Sequence, residues 1–146
     1  MIKIAEYDLK NRLPKKLKKQ VANFLYDHLD QFGDPEEDIE KAIDYAFSEE
    51  SGKGGFLLVG YNLDEIVSAV VMNNTGMQDY IPENILVYIA THRNFRGQGI
   101  GKLLMKKAIE KSEGSIALHV EHDNPALHLY KSMGFTNKYL EMRLKK

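Results

Sequence analysis

The sequence predicts a mixed α/β sheet in one domain, residues 1–146, and three observations carry that prediction. Short runs of β-formers alternate with amphipathic helical stretches, in the order β, α, α, β, β, β, α, β, α, β. One strand, helix, strand unit, Ile85 to Val120, needs a parallel pair, because a helical crossover brings the chain back in the same direction. Short connections around that unit predict antiparallel neighbours.

The elements follow in order. Met1 to Tyr7 alternates, with Ile2 and Ile4 on one face, and reads as an edge strand. Asp8 to Pro14 breaks it. Leu17, Val21, Phe24, Leu25 and His28 recur at helical spacing, which predicts an amphipathic helix over Lys15 to Leu29. Lys10, Arg12, Lys15, Lys16, Lys18 and Lys19 make its surroundings the most basic part of the chain, and a solvated helix face accounts for them. Asp34 is expected to cap a second helix with Pro35 in its first position, while Glu36, Glu37 and Asp38 suit the positive end of the helix dipole. Ile39, Ala42, Ile43, Ala46 and Phe47 form its apolar stripe, and Ser51 to Gly55 ends it.

Phe56 to Tyr61 and Ile66 to Met72 read as a hairpin joined through Asn62 to Glu65. Asn73 to Gly76 is a turn and Met77 to Glu83 a loop. Ile85 to Ala90 has the length of a buried strand. Ile100, Leu103, Leu104, Ala108 and Ile109 share one helical face, and Glu113-Gly114 closes that helix. Ser115 to Val120 is a further strand. Asn124 is the expected N-cap of a last helix with Pro125 as its first residue and Gly134 as its stop. Tyr139 to Leu144 alternates and is expected to close the sheet.

Composition excludes several function classes. With 43% hydrophobic and 28% charged residues the chain has ordinary globular composition. A net charge of −1 gives no electrostatic case for nucleic acid or an anionic membrane surface. The chain has no cysteine, which removes disulfides, thiolate metal sites and a cysteine nucleophile. Met1 to Arg12 carries charges where a secretion signal needs an apolar core, and no run approaches the ~18 apolar residues of a membrane span. A soluble cytoplasmic protein is the expectation. His92, His119, His122 and His128 do not predict a metal site, because the two rings of His119 and His122 diverge at a strand end.

The informative stretch is Asn84 to Ser112. A strand crosses a basic turn, Thr91 to Arg96, into glycines at alternate positions, Gly97, Gly99 and Gly101, and then a helix. Such a turn offers unpaired N–H groups and a helix dipole to a phosphate. It is not a dinucleotide fingerprint, because Lys102 stands where the third glycine belongs. Nor is it a P-loop, because Arg96 replaces the first glycine and Leu103 the magnesium-binding hydroxyl.

The turn instead reads R-x-x-G-x-G over Arg96-Gly97-Gln98-Gly99-Ile100-Gly101, and in this it resembles the acetyl-CoA signature of the GNAT superfamily of N-acetyltransferases. Asn124 to Phe135, with Asn124, Tyr130, Gly134 and Phe135 at the spacing of N-x-x-x-x-x-Y-x-x-x-G-F, resembles that family's second block, one strand later. The element order is GNAT-like along the whole chain. The resemblance implies acetyl-CoA as co-substrate, no metal, and a primary amine of a small molecule or peptide as acceptor. It also admits a homodimer.

For the site, it implies that Gly97, Gln98, Gly99, Ile100, Gly101 and Lys102 cradle the pyrophosphate beside the Arg96 charge. The pantetheine arm would pair with the strand edge at Ile89, Ala90 and Thr91, with Asn124 as a further contact. Tyr130 takes the role of acid, since a phenol of pKa about 10 can protonate a thiolate whose conjugate acid lies at about 8.5. An N–H near Ile89 or Ala90 would serve the oxyanion. Glu83, which shares strand parity with Ile85, Val87 and Ile89, stands slightly ahead of Glu121 as base. Two other functions fit the same sequence: a GNAT-fold acyl-CoA sensor without turnover, and a protein-binding role for the Lys10 to Lys19 patch.

Overall fold

A computed structural model describes residues 1–146. The elements are β1 (Ile2–Tyr7), α1 (Lys15–His28), α2 (Glu36–Ala46), β2 (Gly55–Asn62), β3 (Glu65–Asn74), β4 (Asn84–Thr91), α3 (Ile100–Lys111), β5 (Ile116–Leu118) and α4 (Ala126–Ser132). Single 3₁₀ turns, Asp30–Phe32 and Arg93–Phe95, precede α2 and α3. The five strands form one sheet in the order β1-β2-β3-β4-β5. Neighbours from β1 to β4 run antiparallel, and β4 pairs parallel with β5, as the helical crossover requires.

Both faces of the sheet are covered, so its inner strands read as continuous apolar runs. Val21, Leu25, Ile39 and Ile43 of α1 and α2 pack on Leu57, Val59, Ala69 and Val71. The alternate residues Phe56, Leu58, Val70 and Met72 face Ile100, Leu104, Met105 and Ala108 of α3, together with Tyr130 of α4. Burial of such side chains contributes about 1.5–3 kcal/mol each and drives the layering.

The basic stretch of α1 is a seam between helices. Lys18 pairs with Asp44 at 2.7 Å, Lys19 reaches Glu36 and Glu40 at 3.6 and 3.5 Å, and Arg12 pairs with Glu49 at 2.6 Å. These exposed pairs contribute little each.

Two expectations about local structure are corrected. Asp34 does not cap α2, which starts at Glu36 without a side-chain cap; its carboxylate accepts instead from the Tyr88 hydroxyl at 2.5 Å. The expected closing strand, Tyr139 to Leu144, makes no ladder. Alternation supplies strand propensity, but a strand exists only where a neighbour takes its N–H and C=O groups, and this segment runs out exposed from Thr136 onward.

One irregularity matters more than the rest. Val71 pairs with Tyr88 and Met72 with Leu86, so Val87 is an extra residue, a β-bulge in β4. Val87 and Tyr88 therefore both pack toward α1 and α2, while Leu86 and Ile89 pack toward α3.

Candidate active site

The site is built around the parting of β4 and β5. Their pairing runs over Asn84↔Ile116, Ile85↔Ala117 and Leu86↔Leu118 and then stops, at the residue where the bulge begins. Asn84 pins the closed end. It is 4% exposed, and its Nδ2 donates to the carbonyls of Glu113 at 2.6 Å and Ser115 at 3.2 Å.

Beyond the bulge, backbone alternation decides which groups are free. Ser68 Oγ donates to the Ala90 carbonyl at 2.8 Å, and the His92 N–H donates to Val67 O at 2.8 Å, so Ala90 and His92 turn toward β3. The alternate residues, Ile89 and Thr91, turn their N–H groups the other way, into the gap left by β5. Of the strand positions expected to meet a ligand, Ile89 and Thr91 turn their N–H groups into the gap and Ala90 does not.

The glycine turn continues that free edge. Gly97 and Gly99 both lie at φ +79°, and a Cβ at either would meet nothing within 4 Å. Their backbone faces open space, so the glycines serve conformation and access, not packing. Gly101 differs: a Cβ there would touch Leu129 Cδ2 at 3.4 Å and Thr91 Oγ1 at 3.5 Å, because α4 seats on the first turn of α3. Gly99 caps α3 with no side-chain hydrogen bond and no acidic residue in the first turn. The first N–H groups of α3, from Ile100, Gly101 and Lys102, thus have neither a capping acceptor nor a competing negative charge. Gln98 and Lys102 are exposed, and Lys102 makes no ion pair.

Arg96 has a different part from the one expected. Its Nε donates to Thr91 O at 3.2 Å, Nη1 to Asp30 Oδ2 at 3.1 Å and Nη2 to His28 O at 2.8 Å. The guanidinium is directed at the C-terminal end of α1, where it anchors the turn, and Arg93 grips the same Asp30 at 3.0 Å. Two stacked imidazoles complete the anchor. The His28 and His92 rings lie 4.1 Å apart, and their Nδ1 atoms accept from the backbone N–H groups of Arg93 and Asn94 at 3.2 and 3.1 Å. Burial, followed by the nearby His92 and Arg93, pushes the His28 imidazole below its usual range.

Tyr130 is 7% exposed and sits among Leu86, Ile89, Ile100 and Leu104. Its ring packs on Phe135 with centroids 6.0 Å apart. Burial, followed by the Glu121 charge, pushes the phenol up to about 12, so it holds its proton at any physiological pH. None of the side-chain hydrogen bonds involves its hydroxyl, so the donor is available. Asn124 caps α4 as expected, with Oδ1 accepting from Ala126 N–H at 2.9 Å.

Glu83 does not fit the base role. Its two carboxylate oxygens accept from Ser115 N–H at 2.7 Å and Asp79 N–H at 2.8 Å, and these bonds hold its pKa below the usual range. It lies at the closed end of β4, and a Cβ on Gly114 would stand 2.2 Å from Glu83 Oε1. Its expected parity with Ile89 is also broken, because the bulge at Val87 flips every later residue to the other face.

Sequence reasoning missed the pair that does stand beside the bulge. Tyr88, 8% exposed, donates to Asp34 across 54 residues of sequence, and burial, followed by that carboxylate, raises the phenol well above its ordinary value. Asp34, Gly33 and Tyr26 line a cavity of about 550 Å³ between the end of α1 and the start of α2. No group of three or more His, Asp or Glu side chains could hold a metal ion, and no helix is long and apolar enough to cross a membrane.

The acetyltransferase (GNAT) domain family matches residues 53–137, from before β2 to beyond α4. The chain belongs to the GNAT acetyltransferase family.

Solved structures with the same fold include a GNAT family acetyltransferase from Streptococcus pneumoniae TIGR4, 20% identical with a TM-score of 0.70 over 100% of this chain and 98% of that one. A transcriptional regulator from Bacillus halodurans C-125 is 21% identical with a TM-score of 0.69 over 100% of both chains. An aminoglycoside acetyltransferase from an uncultured soil metagenomic sample, in complex with sisomicin, is 19% identical with a TM-score of 0.63 over 99% of this chain and 95% of that one. At these identities the likeness is one of fold. No curated protein sequence matches the chain. GNAT membership makes this an acetyltransferase that draws on an acyl-CoA donor. The residues fit such a group: an open strand edge, two glycines whose Cβ space is vacant, an uncapped helix start and an unpartnered buried phenol.

Proposed function

We propose that residues 1–146 act as one acetyl-CoA-dependent N-acetyltransferase domain that moves an acetyl group directly to a primary amine of a small molecule or peptide. The observation that carries this is the continuity of free donors from Ile89 and Thr91 through Gly97 and Gly99 to the first turn of α3. Gly97 to Lys102 would hold the pyrophosphate through backbone N–H groups, with Lys102 adding an unpaired cation. Ile89 and Thr91 would hold the pantetheine arm as an added strand would be held, with Asn124 at its far side.

When bound, acetyl-CoA supplies a thioester carbonyl open to attack by an amine. The Ile89 N–H is aimed at the gap and is the donor suited to a developing oxyanion. Tyr130 keeps its proton, and its free hydroxyl can donate it to a departing thiolate. The base role passes from Glu83 to Asp34, which is held by Tyr88 next to the bulge and opens on a cavity large enough for an amine. Asp34 would draw an ammonium in and take its proton through water. With no cysteine in the chain, no acyl-enzyme on a thiol is available and transfer is direct.

The test is thiol release across a panel of polyamines, amino acids, aminoglycosides and peptide N-termini, and the cysteine-free chain gives no background. Acetylated product is expected, with Tyr130→Phe lowering kcat by about 100-fold at unchanged acetyl-CoA affinity. An unchanged kcat removes Tyr130 as the acid. Acetyl-CoA binding with no product anywhere in the panel would point to an acyl-CoA sensor.

A further inference from the structure

The chain between β4 and the glycine turn rests on two imidazoles. His28 ends α1 and His92 follows β4, and their rings stack with centroids 4.1 Å apart. Each spends the same atom on the 3₁₀ turn Arg93–Phe95. His28 Nδ1 accepts from the Arg93 N–H at 3.2 Å, and His92 Nδ1 accepts from the Asn94 N–H at 3.1 Å. An imidazole that accepts at Nδ1 is neutral and carries its proton on Nε2. Protonation puts a hydrogen on Nδ1 as well, so each ring would then face a donor with a donor. The same turn runs on through Arg96 into Gly97.

We propose that His28 and His92 position the acetyl-CoA turn as a neutral pair, and that acid, by protonating them, frees Arg93 to Phe95 and weakens acetyl-CoA binding. This rests on the cofactor reading given above. Both histidines act through the turn, so they are positioning residues and not catalytic ones.

The surroundings resist a charged pair. Two positive rings 4.1 Å apart would repel each other. Arg93 and Arg96 lie beside His28, and Asp30, after α1, is spent on both of them at 3.0 and 3.1 Å. Asp27 on α1 is the acid that favours a proton on His28. It lines a cavity of about 410 Å³ with His28, Tyr61 of β2 and Asp64 of the β2–β3 turn. Glu65 of β3 stands 3.6 Å from His92 Nε2, the nitrogen that already carries the proton, and so supports the neutral tautomer. Phe24 and Phe95 pack on the two rings. Burial, followed by His92 and Arg93, holds the His28 imidazole below its usual range. Its neutral form is therefore complete above the ordinary histidine value of about 6.5, and is given up as pH falls through the lower folded value. Protons have access, since His28 borders the cavity and the His92 side chain is 19% exposed.

The test is acetyl-CoA affinity by calorimetry from about pH 7.5 to about pH 5, on either side of the histidine range. It is joined to ¹⁵N spectra of the imidazoles and of the Arg93, Asn94 and Gly97 amides in the free protein. The wild-type chain should lose affinity about tenfold over that range, and the three amides should shift as the rings titrate. His28→Asn with His92→Asn keeps an acceptor near each Nδ1 and removes the titration, so its profile should follow only the cofactor's own phosphates and fall less steeply. His28→Phe keeps the stack without the acceptor and should bind weakly at every pH. Identical profiles in the wild type and the double Asn variant overturn the proposal. So does wild-type affinity that rises in acid relative to that variant, which would make the pair a cationic site for the pyrophosphate. If a variant fails to fold, the wild-type spectra decide: rings protonated on Nδ1 near pH 7.5, or rings that titrate without moving the Arg93 and Asn94 amides, overturn it. Absence of binding at every pH overturns it through the cofactor reading, and is told apart from failure of the pair by spectra that still show the coupled titration.

Discussion

The two ends of β4 are built from similar residues and treated in opposite ways. At Asn84 to Leu86 each polar group is accounted for: β3 on one side, β5 on the other, and the Asn84 amide on two carbonyls. At Ile89 to Thr91 the strand keeps β3 but loses β5, and the groups facing away from β3 have no strand to meet. The bulge at Val87 is the boundary between them. The proposed function puts binding at the open end, because binding a ligand as an added strand requires that a strand be missing.

That contrast can be broken from either side. The largest effect is expected at the closed end, where Asn84→Ala leaves the Glu113 carbonyl without its donor, while the Ser115 carbonyl keeps the backbone N–H of residue 84. Unfolding free energy should fall by about 1–3 kcal/mol, read from a denaturant midpoint, while acetyl-CoA affinity corrected for the folded fraction should move little. A smaller effect is expected at the open end. Thr91→Pro removes an N–H that does not bond to β3, so stability should change by no more than about 0.5 kcal/mol. Acetyl-CoA affinity should fall roughly fivefold, the worth of one hydrogen bond of about 1 kcal/mol. If Thr91→Pro unfolds the protein, or Asn84→Ala abolishes binding in the folded fraction, the two ends are not separate in the way described.

Much of this was legible in the sequence because it is local. Gly97 and Gly99 announced a turn that needs φ above zero, and Asn124-Pro125 announced a helix start, which Asn124 Oδ1 provides. What was not legible depends on partners distant in sequence. Leu86-Val87-Tyr88 is an apolar run, and alternation in such a run cannot show an extra residue, so the parity argument for Glu83 failed at the bulge. Asp34-Pro35 has the local form of a helix cap, but the Tyr88 hydroxyl, 54 positions away, claims the carboxylate. Arg96 has the look of a charge for phosphate because the groups that hold it, the His28 carbonyl at the end of α1 and Asp30 in the 3₁₀ turn after it, are distant in sequence. Tyr139 to Leu144 has strand propensity, and no property of that segment alone says where its neighbour is.

The most direct test of the account is a titration of ¹⁵N-labelled protein with acetyl-CoA, following each backbone amide. The expected result is saturable shifts at Ile89, Thr91 and Gly97 through Lys102, with Asn84 to Leu86 unmoved. No shifts at millimolar acetyl-CoA, or shifts centred on the closed end, would contradict it.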